Sequence, residues 1–67
     1  MKVKINNEDE SLTTGSSLYY LLKKKGFLEQ KGIAIAVNNE VISKAEWKLT
    51  ILLNNDKITV IKATQGG

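Results

Sequence analysis

The last two positions of the sequence are glycines, Gly66 and Gly67, and the group they offer for chemistry is the terminal carboxylate. An ordinary terminal carboxylate has a pKa of about 3.5, so it is ionised at neutral pH and is a poor electrophile until it is activated. A glycine pair is expected by chance at the end of roughly 0.5% of chains, because glycine makes up about 7% of residues. Chain ends are also commonly flexible. Taken alone, the pair therefore favours no more than a flexible terminus.

The residue types that the sequence lacks exclude most other chemistry. The 67 residues include no cysteine, no histidine and no proline. Without cysteine there is no disulfide framework, thiolate metal site or nucleophilic thiol, and without histidine there is no imidazole acid–base pair. We therefore predict that the chain has no catalytic residue and no metal ligand of its own.

The basic residues argue against nucleic acid as a partner. The net charge is +3, and every basic residue is a lysine, with Lys23-Lys24-Lys25 as the only run. A nucleic-acid reader is expected to use arginine for bidentate contacts and to place aromatic rings where bases can stack. The lysine run is instead typical of the last turn of a helix, where cations complement the helix dipole.

The length and hydropathy of the chain predict one small soluble domain. A chain of this size is enough for a single core. No stretch approaches the ~20 apolar residues that a membrane span needs, and Met1-Lys2-Val3-Lys4 opens without an apolar run behind it. We expect a cytoplasmic protein with no membrane association.

The first third of the sequence predicts a hairpin followed by a helix. Alternation around Val3 and Ile5 predicts a half-buried strand, residues 6–9 carry turn chemistry, and residues 11–14 resume an extended run. Leucines at 18, 21 and 22 then form a helical stripe of about three turns. Ser17 is placed to cap its first turn, and Gly26 to end it in left-handed backbone, with Phe27-Leu28 folding back onto the stripe.

The rest of the sequence predicts further strands around a short helical turn. Residues 33–37 are apolar or small on both faces, as in an interior strand, and Asn38-Asn39 turns the chain into residues 40–42. A capping Ser43 precedes a helical turn that tucks Trp47 against the core. Residues 58–61 are rich in β-branched types and predict the last strand.

This order of elements predicts an α+β domain in which one main helix packs on one face of a mixed β-sheet. The expected core consists of Val3, Ile5, Leu18, Leu21, Leu22, Ile35, Val37, Ile58 and Val60. In the last strand Ile58 and Val60 face the helix at period two, so Thr59 and Ile61 face away from it. Residues 1–63 form the predicted domain, and residues 64–67 form a flexible tail.

Three segments and the glycine pair together resemble a known family. Ala36-Val37-Asn38-Asn39-Glu40-Val41-Ile42 is followed by Glu46-Trp47 and then by Asn55-Asp56-Lys57-Ile58, and Gly66-Gly67 ends the chain. In this order and spacing the sequence resembles the ubiquitin-like β-grasp sulfur carriers, most closely those of thiamine biosynthesis (ThiS-like). The resemblance covers the whole chain and implies a β-grasp fold.

The resemblance also implies a function for the terminal carboxylate. In that family an E1-like adenylyltransferase uses ATP and Mg²⁺ to adenylate the last glycine, here Gly67. A sulfur donor, a cysteine desulfurase or similar protein, then displaces AMP and leaves a thiocarboxylate, whose sulfur passes to a thiazole synthase. The carrier binds no cofactor itself and is a co-substrate rather than an enzyme.

The resemblance further assigns Gln65 and Gly66 to insertion of the tail into the partner. Glycine suits this role because it has no Cβ, so the chain can lie extended in a narrow channel. We expect Thr59 and Ile61 to belong to the surface that partners bind, because an outward isoleucine beside the tail has no evident core role.

Two alternatives stay open. One is a sulfur carrier that serves molybdopterin synthesis or tRNA thiolation, and the neighbouring genes would discriminate it. The other is a ubiquitin-like protein modifier or interaction module, for which amide conjugates in place of a thiocarboxylate would be diagnostic.

Overall fold

The structure is a computed structural model that describes residues 1–62. Its elements are β1 (Lys2–Ile5), β2 (Glu8–Ser11), α1 (Leu18–Lys24), β3 (Ile33–Val37), β4 (Glu40–Ile42) and β5 (Lys57–Lys62), with a short 3₁₀ helix at Lys44–Glu46. The strands form one sheet in the order β2-β1-β5-β3-β4. β1 and β5 are parallel and the other neighbours are antiparallel, so the predicted mixed sheet with one main helix is confirmed.

Each of the two hairpins is closed by a pair of asparagines in left-handed backbone. The φ angles are 50° and 69° at Asn6 and Asn7, and 51° and 71° at Asn38 and Asn39. Positive φ at both central residues is the requirement of a type I′ turn, whose twist matches that of the flanking strands. Asparagine accepts this backbone more readily than other residues with a side chain.

The predicted boundaries of the first hairpin were wrong. The turn was expected over residues 6–9 and the second strand over residues 11–14, whereas β2 begins at Glu8 and ends at Ser11. A two-residue turn allows pairing to begin at once, and Ile5 lies directly opposite Glu8. The acidic residues of β2 belong to an edge strand, where charged side chains discourage association with other strands.

The helix begins and ends as predicted but is shorter. The Ser17 hydroxyl accepts a hydrogen bond from the backbone N–H of Tyr20 at 3.1 Å. At the other end, Gly26 has a φ of 81°, and the N–H of Phe27 donates to the Leu22 carbonyl at 2.8 Å. This hydrogen bond is that of a Schellman motif, which requires the left-handed residue that glycine supplies. It stops α1 after seven residues, about two turns rather than three.

The core lies between α1 and one face of the sheet. Its buried members are Val3, Ile5, Leu12, Leu18, Leu21, Leu22, Ile35, Trp47, Leu52 and Ile58. Val37 and Val60, which were expected in the core, are only half-buried and pack against this cluster. Val37 is the last residue of β3, and Val60 lies beyond the point where β1 stops pairing with β5. Leu12 and Leu52 were absent from the expected core, and both come from connecting segments with no strand or helix periodicity.

Trp47 packs into the core as predicted, and Ser43 is the N-cap residue as predicted, but it makes no capping hydrogen bond with its side chain. The indole is 4% exposed, and its Nε1 donates to the Ile42 carbonyl at 3.0 Å, so the ring's polar group is satisfied. Ser43 does stand at the N-cap position of the 3₁₀ helix. Its hydroxyl instead donates to the Glu46 carboxylate at 3.0 Å.

Candidate functional site

The last strand connects the centre of the sheet to the end of the chain. β5 lies between β1 and β3, and its pairing with β3 runs from Ile58 opposite Val37 to Lys62 opposite Ile33. The chain therefore leaves the sheet beside the first residue of β3. Gln65, Gly66 and Gly67 lie outside the described residues, so their assigned roles stay predictions.

Small and β-branched side chains cover the sheet face opposite α1 at this end of the molecule. In the strand register Thr59 lies opposite Ala36, and Ile61 lies opposite Ala34. Val41 joins them because it pairs with Ala36 from the other side. We call Ala34, Ala36, Val41, Thr59 and Ile61 the open-face patch.

The exposure of Ile61 and Val41 agrees with the predicted orientation of β5, whereas Ala36 between its neighbours is only 5% exposed. Ile61 is 46% exposed and Val41 is 65% exposed, whereas Ile58 and Ile35 on the opposite face are fully buried. Thr59 and Ile61 thus face away from the helix, as alternation indicated. Their role in binding a partner stays a prediction.

Sequence reasoning placed Val41 in a strand but gave it no role in the surface. The signal that was available is the two-residue turn at Asn38-Asn39, which sets the register of β4 against β3. Once Ala36 is known to face away from the helix, the same register sends Val41 to that face as well.

A shallow depression borders the open-face patch where the chain leaves the sheet. A cavity of about 290 Å³ is lined by Gly32, Ile33, Ala34 and Ile61. A groove of about 570 Å³ shares the first three of these residues and continues along β4 to Trp47. The surface beside the last strand is therefore concave as well as apolar, which suits the reception of a protruding apolar side chain.

The same sheet face becomes basic toward the start of β5. Lys4 and Lys57 lie side by side in the parallel register of β1 and β5. The Lys4 ammonium contacts the Asp9 carboxylate at 2.9 Å, and this hydrogen bond and charge lower the pKa of Asp9. The face therefore has an apolar half beside the end of β5 and a basic half beside its start.

Two features on which the family resemblance depends, the Asn38 turn and Asp56, hold the start of β5 in place. The Asn38 Oδ1 accepts from the Lys57 N–H at 3.0 Å, and its Nδ2 donates to the Asp56 Oδ1 at 2.9 Å. The second Asp56 oxygen accepts from the Leu53 N–H at 2.8 Å. These residues therefore join the β3–β4 turn to the loop before β5, and their place in the signature is explained by this architecture.

Over residues 1–62 no group of three or more acidic, cysteine or histidine side chains is arranged to hold a metal ion. No helix within the same range has the length and apolar character to cross a membrane.

Comparisons with known proteins agree with the fold. The chain is 31% identical over its whole length to a thiazole synthase of Magnetococcus marinus, and it spans about a fifth (20%) of that protein. It superimposes on the crystal structure of the thiamine biosynthesis protein ThiS of Geobacter metallireducens with a TM-score of 0.84, 16% identity and complete coverage of both chains. The solution structure of a thiamine biosynthesis protein from that organism gives a TM-score of 0.74 at 16% identity, with 100% of this chain and 88% of the other covered.

The structural likeness confirms the β-grasp fold, and at this identity it speaks for the fold alone. The family assignment depends instead on the sequence, because the model of the ThiS family matches residues 3–67. That match includes both the signature segments within the sheet and the glycines that follow it. The chain is therefore a member of the ThiS family.

Proposed function

We propose that this chain is a sulfur carrier of thiamine biosynthesis and that Gly67 carries the sulfur as a thiocarboxylate. The observation that carries the proposal is the family match, which extends through residue 67 and so includes the terminal glycines. The residue composition supports it, because a sequence without cysteine or histidine has few other groups that can accept or transfer sulfur.

The proposed chemistry activates the carboxylate and then exchanges one oxygen for sulfur. A carboxylate oxygen of Gly67 attacks the α-phosphorus of ATP, and pyrophosphate leaves, which yields an acyl-adenylate. A persulfide sulfur of the donor then attacks the acyl carbon, and AMP leaves with the former carboxylate oxygen, which yields an acyl disulfide. A thiol next attacks the donor's own cysteine sulfur, so that a disulfide forms and the thiocarboxylate is released. ATP and Mg²⁺ bind to an E1-like adenylyltransferase rather than to this chain, and a cysteine desulfurase or similar protein supplies the sulfur.

The tail and the open-face patch have separate tasks in this proposal. Gln65 and Gly66 enter the partner's active centre, where a residue without Cβ leaves the acyl carbon open to attack. The open-face patch, with the depression beside Ile61, binds the body of the partner. Ile61 of the patch lies next to the last residue of β5, and the tail follows that strand in the sequence. Docking of the patch therefore brings the tail to the partner's active centre.

A thiazole synthase is the proposed recipient of the sulfur. The relative from Magnetococcus marinus is a thiazole synthase, and a fifth of its length aligns with this entire chain. A carrier-like segment within a thiazole synthase supports pairing of the two activities. Molybdopterin synthesis and tRNA thiolation remain the alternative destinations, and transfer assays with each recipient enzyme would discriminate them.

Deletion of Gly67 is the direct test of the chemistry. The wild-type protein is incubated with an E1-like adenylyltransferase, ATP, Mg²⁺ and a sulfur donor, and intact mass is measured for replacement of one oxygen by sulfur. We expect the deletion to abolish the exchange and to leave the thermal unfolding midpoint unchanged, because the core of the described residues is complete by Val60 and a chain end contributes little to stability. Gly66→Ala, which retains the terminal carboxylate, is expected to slow the exchange without abolishing it.

Two outcomes would contradict the proposal. If the wild-type protein forms amide conjugates through Gly67 and no thiocarboxylate, the chain is a protein modifier. If the protein without Gly67 is still loaded with sulfur at a residue other than its new C-terminal Gly66, the reactive group lies elsewhere in the chain.

A further inference from the structure

Asn6 marks the point at which β1 separates from β5. The two strands pair only at Lys4 opposite Lys57 and Ile5 opposite Ile58. The Asn6 N–H donates to the Ile58 carbonyl at 3.0 Å, and the chain then turns away into β2. β5 itself continues to Lys62, so its terminal half has β3 on one side and no strand of residues 1–62 on the other.

The side chain of Asn6 makes the next hydrogen bond to β5 after the backbone pairing with β1 stops. Its Oδ1 accepts a hydrogen bond from the backbone N–H of Val60 at 2.9 Å. The carbonyls of Asp56 and Ile58 both point to β1, and Val60 continues this alternation. The side-chain oxygen of Asn6 therefore accepts the hydrogen bond that the backbone carbonyl of Asn6 would accept if β1 continued beside β5.

We infer that Asn6 is a positioning residue that sets the direction in which the chain leaves the domain toward Gly67. This inference rests on the proposed function, since the direction matters only if the tail must enter a partner while the open-face patch is bound. Beyond Ile58 the strand is paired with β3 alone. A strand end paired on one side frays more readily than one paired on both, and fraying at Val60 would spread the tail over many directions. A small misplacement of a reacting group is enough to reduce the rate substantially.

A similar hydrogen bond to an asparagine side chain is present at the start of β5, and it provides an internal comparison. Asn38 is also the first residue of a type I′ turn, and its Oδ1 accepts from the Lys57 N–H at 3.0 Å. That end is held by Asp56 and by the pairing with β1 as well. Loss of the Asn38 side chain is therefore expected to affect the stability of the domain, and loss of Asn6 to affect the exit of the tail.

Four variants separate positioning from folding. Asn6→Gly keeps the left-handed turn, because glycine adopts a positive φ without strain, and removes only the acceptor for Val60. Asn7→Gly makes the same backbone change at the adjacent turn residue, whose φ is 69°, and is the matched control. Asn6→Asp restores an acceptor oxygen at the same position. Asn38→Gly removes the corresponding hydrogen bond at the start of the strand.

Two measurements are made on each variant with the full chain. Amide hydrogen exchange at Val60 is expected to be about tenfold faster in Asn6→Gly than in Asn7→Gly, the effect of losing one hydrogen bond. The kcat/KM for ATP-dependent activation is expected to fall about three- to tenfold in Asn6→Gly, with an unfolding midpoint equal to that of Asn7→Gly. Asn6→Asp is expected to restore both values, and Asn38→Gly to lower the midpoint while kcat/KM stays near that of the wild type.

The inference is overturned if Asn6→Gly and Asn7→Gly are activated equally. It is also overturned if Asn6→Gly loses activity only in proportion to a lower unfolding midpoint, because the residue is then merely structural. If the wild-type protein is not activated by any cognate adenylyltransferase, the proposed function fails and this inference fails with it. Equal activation of an active wild type and Asn6→Gly contradicts only the inference.

Discussion

The two faces of the sheet differ in the size of the side chains they present. The face against α1 carries Ile5, Ile35 and Ile58, which are all buried. The opposite face carries alanines, Thr59 and the exposed Ile61 along the same strands. Large aliphatic side chains stabilise the domain where the helix covers them, and small ones leave a surface on which another protein can lie.

β5 shows this difference within a single strand. Ile58 is fully buried and Ile61 is 46% exposed, although they are the same residue type in one strand. The odd separation between them sends the two side chains to opposite faces. Substitutions on the covered face are therefore expected to change folding, and substitutions on the open face to change partner binding.

The largest expected effect is on stability. Leu21→Ala should lower the free energy of unfolding by about 2 to 5 kcal/mol, because the leucine is fully buried and its removal leaves a cavity. Urea denaturation measures the change. Leu49→Ala, at a side chain that is 79% exposed, is the matched control and should change stability by less than about 0.5 kcal/mol. Equal effects of the two substitutions would contradict the assignment of the core.

The next effect is on binding. Ile61→Asp should weaken the complexes with the adenylyltransferase and with the thiazole synthase by about 10- to 100-fold, because it puts a charge into an apolar contact. Binding is measured by titration calorimetry, and the unfolding midpoint should stay close to that of the wild type. Leu49→Asp places the same charge at an exposed leucine outside the open-face patch and should bind normally. If Ile61→Asp binds as tightly as the wild type, the patch is not the docking surface.

The smallest expected effect is on the pH dependence of stability, and it concerns the ion pairs at the edge of the helix-covered face of the sheet. The Glu10 carboxylate contacts the ammonium groups of Lys24 at 3.0 Å and Lys25 at 3.2 Å, so it joins β2 to the end of α1. Hydrogen bonds from these two lysines hold the pKa of Glu10 below its ordinary value. A lowered pKa in the folded state stabilises the protein above the ordinary value, and this stability is lost as the pH falls through the folded-state pKa.

Glu10→Gln should therefore flatten the acid side of the stability curve. The difference in urea midpoint between wild type and variant is expected to be small at about pH 7, since exposed ion pairs contribute little. It should shrink as the pH falls below the ordinary glutamate pKa and through the lowered pKa of Glu10. Glu29→Gln, at an exposed residue, is the control for loss of one negative charge. A difference that grows on acidification would contradict this role of Glu10.

The elements themselves were largely predictable because their signals are local. Ser17 and Gly26 lie directly at the ends of α1, and the capping chemistry of each acts within a few residues. The alternation of residues 33–37 and 58–61 likewise assigned strands and faces correctly. The first hairpin was misplaced because two asparagines alone make its turn, and the acidic residues after them suit an edge strand as well as a loop.

The sequence by itself determined the helix ends, the strands with their two faces, the absence of thiol and imidazole chemistry, and the glycines at the end of the chain. Only the tertiary structure decided that β5 lies between β1 and β3, that Leu52 is buried, and that Val41 joins Thr59 and Ile61 on one face. It also decided that Asn6 reaches Val60, 54 positions away in the sequence. Capping and alternation act between near neighbours, whereas strand order and loop burial depend on pairing between distant segments, which leaves no periodic signal in either one.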